Sequence, residues 1–239
     1  MKPKLLDLFC GAGGCSMGYF NVGFDVVGVD IDPQPQYPFE FHQADALEYL
    51  AAHSHEFDII HASPPCQHYT KAGQQWRKEG KEYPDLIARV RDLLMKSGKP
   101  YIIENVPGAP LVNPIFLNGS MFGLLVHRPR FFECNFPVEQ PEIVKTKRPV
   151  KMGRPVQEGD IIQPVGHFSG ADYARKQMRI DWMSKKGLAQ AIPPAFCEYI
   201  GGKALAHLTP LAVGRACTCP RIYENPVDAT ICGWCGGGL

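Results

Sequence analysis

The chain has 239 residues, 45% of them hydrophobic and 21% charged, and a formal net charge of +1 at pH 7. This is enough chain and enough apolar content for a proper core, and it excludes nucleic-acid binding driven by bulk positive charge. No apolar run approaches a bilayer-spanning length, and nine cysteines, an odd number behind an amino terminus without a signal-peptide pattern, point to reduced thiols in the cytoplasm.

In chain order, Lys4 to Phe9 reads as a strand, followed by the glycine turn Gly11-Ala12-Gly13-Gly14 and a short helix to about Asn21. Asp25 to Val29 is a second strand ending at Asp30, and Glu40 to Gln43 a short third before Asp45. Phe57 to His61 is the fourth, and Pro84 to Ser97 is an amphipathic helix with Leu86, Ile87, Val90, Leu93 and Leu94 on one side. Lys99 to Ile103 is the fifth strand, ending at Glu104-Asn105. Strands alternating with helices imply an α/β fold with a parallel sheet and right-handed crossovers. From Pro107 to Pro164 the texture turns irregular, with β-like pieces such as Arg130 to Cys134; helix returns from about Ser184 to His207, interrupted at Pro193-Pro194.

The turn Asp7-Leu8-Phe9-Cys10-Gly11-Ala12-Gly13-Gly14 joins the first strand to the first helix, where glycines let a ligand approach the backbone and the helix start offers free N–H groups. Asp30, about 20 residues further on at the end of the second strand, is placed to bind ribose hydroxyls. Asp45 could accept from an adenine amino group or simply cap the next helix. No lysine follows the glycines, so this is no P-loop. A nucleoside cofactor without phosphate fits better, and S-adenosylmethionine is the obvious one.

Cys66 follows the fourth strand in Ser63-Pro64-Pro65-Cys66-Gln67. Proline fixes φ and extends the residue before it, so a stiff backbone presents this thiol at the strand's carboxyl edge. The order DLFCGAGG, SPPCQ, Glu104-Asn105-Val106 and Arg128-Pro129-Arg130 resembles the cytosine-5 DNA methyltransferase family over about residues 4 to 134, with a further match at Gln190-Ala191-Ile192-Pro193-Pro194. The resemblance implies a Rossmann-like class I methyltransferase sheet. It makes Cys66 the nucleophile that attacks cytosine C6, with its pKa depressed by a helix dipole or a nearby cation. Glu104 would bind N3 and the exocyclic amine, Arg130 would hold O2, and Arg128 would support the loop or the thiolate. Phe9, Gly11, Ala12, Gly13, Asp30, Ile31, Asp45, Ala46, Pro64 and Gln190 would hold the cofactor. The implied partner is DNA, double-stranded and with its target cytosine flipped out.

The chain departs from the family pattern at Ala62-Ser63 for a glycine pair, at His68-Tyr69-Thr70, at Val126 for a glutamine, and at Ala189-Gln190 for Gly-Asn. Only about fifty residues separate Arg130 from the late helix, a short recognition segment. The cation-rich run Lys145, Lys147, Arg148, Lys151 and Arg154 and the stretch His167 to Arg179 are its candidates for phosphate and base contacts. Specificity is therefore expected to be short, loose or supplied by a protein partner. The same chemistry on RNA or a free pyrimidine nucleotide is one alternative, and a non-catalytic nucleic-acid-binding module is another. Cys217, Cys219, Cys232 and Cys235 form a C-x-C…C-x2-C array, read as a structural zinc knuckle. The expected division is a catalytic domain over 1–135, a recognition segment over 136–183, a returning helix over 184–208 and the zinc tail over 209–239.

Overall fold

A computed structural model describes residues 2–70, 84–151 and 153–209. Seven strands form one sheet: β1 (Lys4–Leu8), β2 (Asp25–Asp30), β3 (Glu40–Gln43), β4 (Ile59–Ala62), β5 (Tyr101–Asn105), β6 (Ile115–Leu117) and β7 (Arg130–Cys134). Its order is β3-β2-β1-β4-β5-β7-β6. The helices are α1 (Gly14–Asn21), α2 (Ala46–His53), α3 (Ile87–Ser97), α4 (Ala171–Met178), α5 (Lys185–Gln190) and α6 (Pro194–Leu208). Residues 1–204 make one compact unit; the second unit, 205–239, is described only as far as Thr209.

The central strands β1, β4 and β5 are buried along almost their whole length, which explains their continuous apolar runs. Leu6, Leu8, Val27, Val29, Ile60 and Ile103 pack under Leu47 and Leu50 of α2 and Val90 and Leu94 of α3. Side chains alternate across a sheet, so Leu5, Ile59 and Ile102 face the other way, and with them the buried polar groups Asp7, His61 and Glu104. On that side α1 meets α6 at backbone distance. A Cβ built on Gly18 would lie 2.2 Å from the Pro194 carbonyl oxygen.

Two expectations are corrected. The sheet is not wholly parallel: β5 pairs with β7 antiparallel, through Glu104 opposite Phe132 and Asn105 opposite Phe131, and β6 pairs with β7 antiparallel as well. Nor is the stretch after Pro107 merely irregular. It contributes β6 and β7, and with the residues that follow it builds a second apolar cluster of Leu124, Val126, Ile162, Phe168, Met178, Ile180, Met183 and Leu188. Helix α4 lies inside the segment expected to read bases, and it buries Ala174 and Met178 in this cluster. The late helix is split as expected: α5 ends at Gln190 and α6 starts at Pro194.

Candidate active site

Strand order reverses between β1 and β4, and the crevice at their carboxyl ends is where open α/β sheets bind ligands. Immediately after β1, Phe9, Gly11 and Gly13 all have positive φ, at 59°, 50° and 85°. Phe9 is a strained exception for a side-chain-bearing residue, and such strain is held in place only where the surroundings enforce it. Gly11 donates its N–H to Asp30 Oδ2 at 2.9 Å, and Asp32 donates to Oδ1 at 3.0 Å. Asp30 thereby pins the glycine turn to the end of β2. Beside it Ile31 is 65% exposed, an apolar surface at a polar edge.

Asp45 caps α2, accepting from Leu47 N–H at 2.8 Å and Glu48 N–H at 3.0 Å. Both bonds go to Oδ1, so the capping role leaves Oδ2 uninvolved; Ala46 next to it is buried. Gln190 is exposed at the end of α5. It stands between Ala189, whose carbonyl accepts from Arg128, and Ile192, whose carbonyl lies 2.4 Å from a Cβ built on Gly14. Gln190 is thus carried to the start of α1, next to the glycine turn. Trp182, which the sequence did not single out, donates its indole N–H to the Ala12 carbonyl at 2.8 Å.

The thiol turn is clamped from both neighbouring strands. Ser63 N–H bonds the Leu8 carbonyl at 3.1 Å, and the buried Asn105 amide donates to the Pro64 carbonyl at 2.9 Å. Tyr69 N–H closes the turn onto the Cys66 carbonyl at 3.0 Å. Glu104 ends β5 with its side chain 8% exposed, and Arg130 Nε stands 2.8 Å from its Oε1. That contact is close enough for an ion pair, but the N–H is not aimed at the oxygen. Oε1 is left as a buried acceptor without a hydrogen bond among the described residues. Because β7 runs against β5, Arg128 and Arg130 arrive at the same edge as Cys66 and Glu104. Arg128 is 1% exposed, and its Nη1 donates to the carbonyls of Pro164 at 2.8 Å and Ala189 at 2.9 Å. It ties the stretch at Pro164 and α5 to the site.

Burial pushes the Cys66 thiol pKa up, and the charge of Glu104 adds to this, while Arg130 and Arg128 pull it down. The expected depressed thiol is therefore corrected: desolvation outweighs two arginines. Burial likewise raises Glu104, opposed by Arg130, the Ser63 hydroxyl and Arg128. Arg128 is itself lowered, by burial and by Arg130. The arrangement is a thiol and a carboxyl that burial makes harder to ionise, beside two arginines. Such a set can protonate a ring nitrogen while holding an oxygen.

Cys217, Cys219, Cys232 and Cys235 lie outside the described residues. Among the described residues no group of three or more His, Cys, Asp or Glu could hold a metal ion. Among the same residues no helix is long and apolar enough to cross a membrane. Lys145, Lys147, Arg148, Lys151 and Arg154 are exposed. Arg154 is engaged by Asp160 at 2.6 Å.

Residues 3–114 match the family model described as C-5 cytosine-specific DNA methylase. The Type II methyltransferase M.HgiDI of Herpetosiphon aurantiacus is 30% identical over 120 residues, covering 45% of this chain and 38% of that one. M.AquIA of Picosynechococcus is 28% identical over 127 residues, 45% of this chain and 50% of that one. The chain thus spans half or less of the length of these two relatives. Among solved structures, the Entamoeba histolytica methyltransferase EhMeth aligns with a TM-score of 0.59 at 12% identity, over 87% of this chain and 99% of that one. The S. pombe Dnmt2 methyltransferase aligns at 0.55, also at 12% identity, over 87% of this chain and 100% of that one. These two likenesses speak for the fold. The sequence match, over β1 to the approach of β6, makes residues 3–114 similar to the C-5 cytosine-specific DNA methylases.

Proposed function

We propose that the chain transfers a methyl group from S-adenosylmethionine to C5 of cytosine in DNA, through a covalent bond between Cys66 Sγ and C6 of the base. The observation that carries this reading is the convergence of Cys66, Glu104 and Arg130 from β4, β5 and β7 on one sheet edge, with a buried acceptor left open on Glu104.

The cofactor residues fit a nucleoside. The positive-φ turn at Phe9, Gly11 and Gly13, with Ala12 and Pro64 flanking, gives close backbone approach, and Asp30 suits a pair of ribose hydroxyls. Ile31 offers an apolar face to adenine, Asp45 and Ala46 its polar edge, and Gln190 an amide contact. S-adenosylmethionine held there would supply an electrophilic methyl group.

Cytosine C5 is too weak a nucleophile unaided. Loss of the Cys66 proton gives a thiolate that adds to C6; Glu104 delivers its proton to N3, so the electron pair is held as an enamine with density on C5. Arg130 holds O2 as charge develops there. After methylation a water or basic group takes the C5 proton, the C5–C6 double bond re-forms as the C6–S bond breaks and Cys66 leaves as thiolate, and N3 returns its proton to Glu104. A raised Glu104 pKa serves this sequence, because it makes the carboxyl a better carrier for the proton that N3 must receive. The base must leave the duplex to reach this edge.

The Type II methyltransferases among the relatives support a restriction-modification setting in the cytoplasm. The C-terminal cysteines are read as a structural zinc site on their spacing alone, which predicts about one zinc per chain. A folded protein free of metal would remove that part. The short recognition segment leaves room for a protein partner or a looser substrate. Labelled cofactor with duplex DNA, tRNA and dCMP tests these together: transfer to DNA is expected, transfer only to dCMP or tRNA sinks the DNA assignment, and no transfer sinks the enzyme. Cys66→Ala should abolish transfer while cofactor binding remains.

A further inference from the structure

Behind Glu104 lies a file of buried polar groups that the mechanism above does not use. Ser63, directly after β4, comes next in register to Glu104 of β5, and its hydroxyl lowers the Glu104 carboxyl pKa. His61 Nε2 is 2.9 Å from Ser63 Oγ, and His61 Nδ1 is 2.8 Å from the Tyr19 hydroxyl. Tyr19 and His61 are both fully buried, on α1 and β4. We infer that Tyr19, His61 and Ser63 are positioning residues for Glu104, a one-directional hydrogen-bond chain that aims the Ser63 proton at its carboxylate. The inference rests on the methyl-transfer reading of the site.

The direction follows from counting protons. A serine hydroxyl has one hydrogen, so if it goes to Glu104, Ser63 Oγ must be the acceptor from His61 Nε2–H. The other ring nitrogen is then bare and accepts from Tyr19 O–H. Burial keeps each member in the state this needs: it drives His61 down to a pKa of about 3, so the ring stays neutral, and holds the Tyr19 phenol well above its usual range, so it keeps its proton. An imidazole that stays neutral is a fixed donor and acceptor rather than a charge. The chain stabilises the carboxylate that Glu104 becomes as it hands its proton to N3, without placing a cation beside it. The charged and titratable groups facing Glu104 are Arg130, Arg128, Cys66, Asp7, Cys15 and Cys197.

The test measures Glu104 directly, by NMR titration of isotope-labelled glutamate carboxyls in the free protein, with Glu104→Gln identifying the signal. Ser63→Ala should move the Glu104 midpoint to higher pH, because the lost hydroxyl stabilised the ionised form. His61→Phe, which keeps a ring of similar shape, should move it the same way by less, and Tyr19→Phe by less again. Ser63→Thr should stay near the parent. In steady state, Ser63→Ala should lower kcat about tenfold at neutral pH with KM little changed, the size expected of one hydrogen bond to a charged group. An unmoved Glu104 titration in folded Ser63→Ala overturns the proposal, and so does a His61→Phe protein that titrates like the parent. A parent protein that transfers no methyl group, yet shows these shifts, overturns the methyl-transfer reading and leaves the chain of donors standing.

Discussion

Two helical glycines should respond to the same substitution with opposite signs. Gly18 of α1 faces α6, and a Cβ there would sit 2.2 Å from the Pro194 carbonyl oxygen, 2.7 Å from Cys197 Cβ and 3.0 Å from Glu198 N. Carbon–oxygen contacts settle at about 3.3 Å, so α1 and α6 would have to part by roughly 1 Å. Two of the three clashing atoms are backbone, so no side-chain rotation relieves them. Overpacking of this kind costs about 1–3 kcal/mol, and a helical Gly→Ala returns about 1 kcal/mol. Gly18→Ala should therefore lose up to about 2 kcal/mol. Gly202 lies in α6 with nothing within 4 Å of a built Cβ, and Gly202→Ala should gain about 0.5–1 kcal/mol from propensity alone. Thermal unfolding followed by circular dichroism reads both. For a domain of this size the two Tm values should move apart by about 1–12 °C, on the scale of 2–4 °C per kcal/mol. If both variants gain stability, the close approach of α1 to α6 is wrong.

Burial holds the Asp7 carboxyl up to about 7, from 3.8, so its contribution is fully present below pH 3.8 and is lost as pH rises through 7. Stability should fall across that window by up to roughly 4 kcal/mol, and Asp7→Asn should flatten the slope; an unchanged slope in urea titrations at several pH values refutes the assignment. Because the charge of Glu104 raises the Cys66 thiol and Arg130 lowers it, alkylation of Cys66 by iodoacetamide, followed by peptide mass spectrometry, should shift to lower pH in Glu104→Gln and to higher pH in Arg130→Gln. Shifts in the same direction would contradict the electrostatics. Arg91 grips the buried Glu133 with Nε and Nη2 at 2.8 and 2.7 Å, joining α3 to β7. Arg91→Ala strands that carboxylate and should cost about 3 kcal/mol in urea unfolding; a loss below about 1 kcal/mol would mean that the pair is dispensable.

The parallel half of the sheet was legible because its strands are unbroken apolar runs buried on both faces and separated by helical spacing. β6 was not, since three residues carry no period, and Ile115 and Phe116 are only partly buried. Strand sense was equally hidden: nothing local in Arg130 to Cys134 says that it runs against β5. The second apolar cluster gathers Leu124, Ile162, Met178 and Leu188 from segments too far apart to show a pattern. Cys66 and Glu104 could be found because a Pro-Pro turn and a strand-terminal acid are local signals. The Arg128 partners, 36 and 61 residues later in the chain, could not be. His61 escaped notice because a neutral histidine between apolar neighbours looks like packing, and only its distances to Tyr19 and Ser63 give it a place in the site.

The reversed course of β7 has a consequence for how this protein could be divided. The segment that matches its relatives, residues 3–114, ends before the strand that brings Arg128 and Arg130 to the Cys66 edge. A fragment cut there would keep the cofactor turn, the thiol and the acid, yet have no positive charge opposite them. Supplying residues 115–209 as a separate chain would then be a complementation experiment, with the arginines crossing from one polypeptide to the other. Sheet pairing along β5 would be the joint that brings the thiol, the acid and the arginines together.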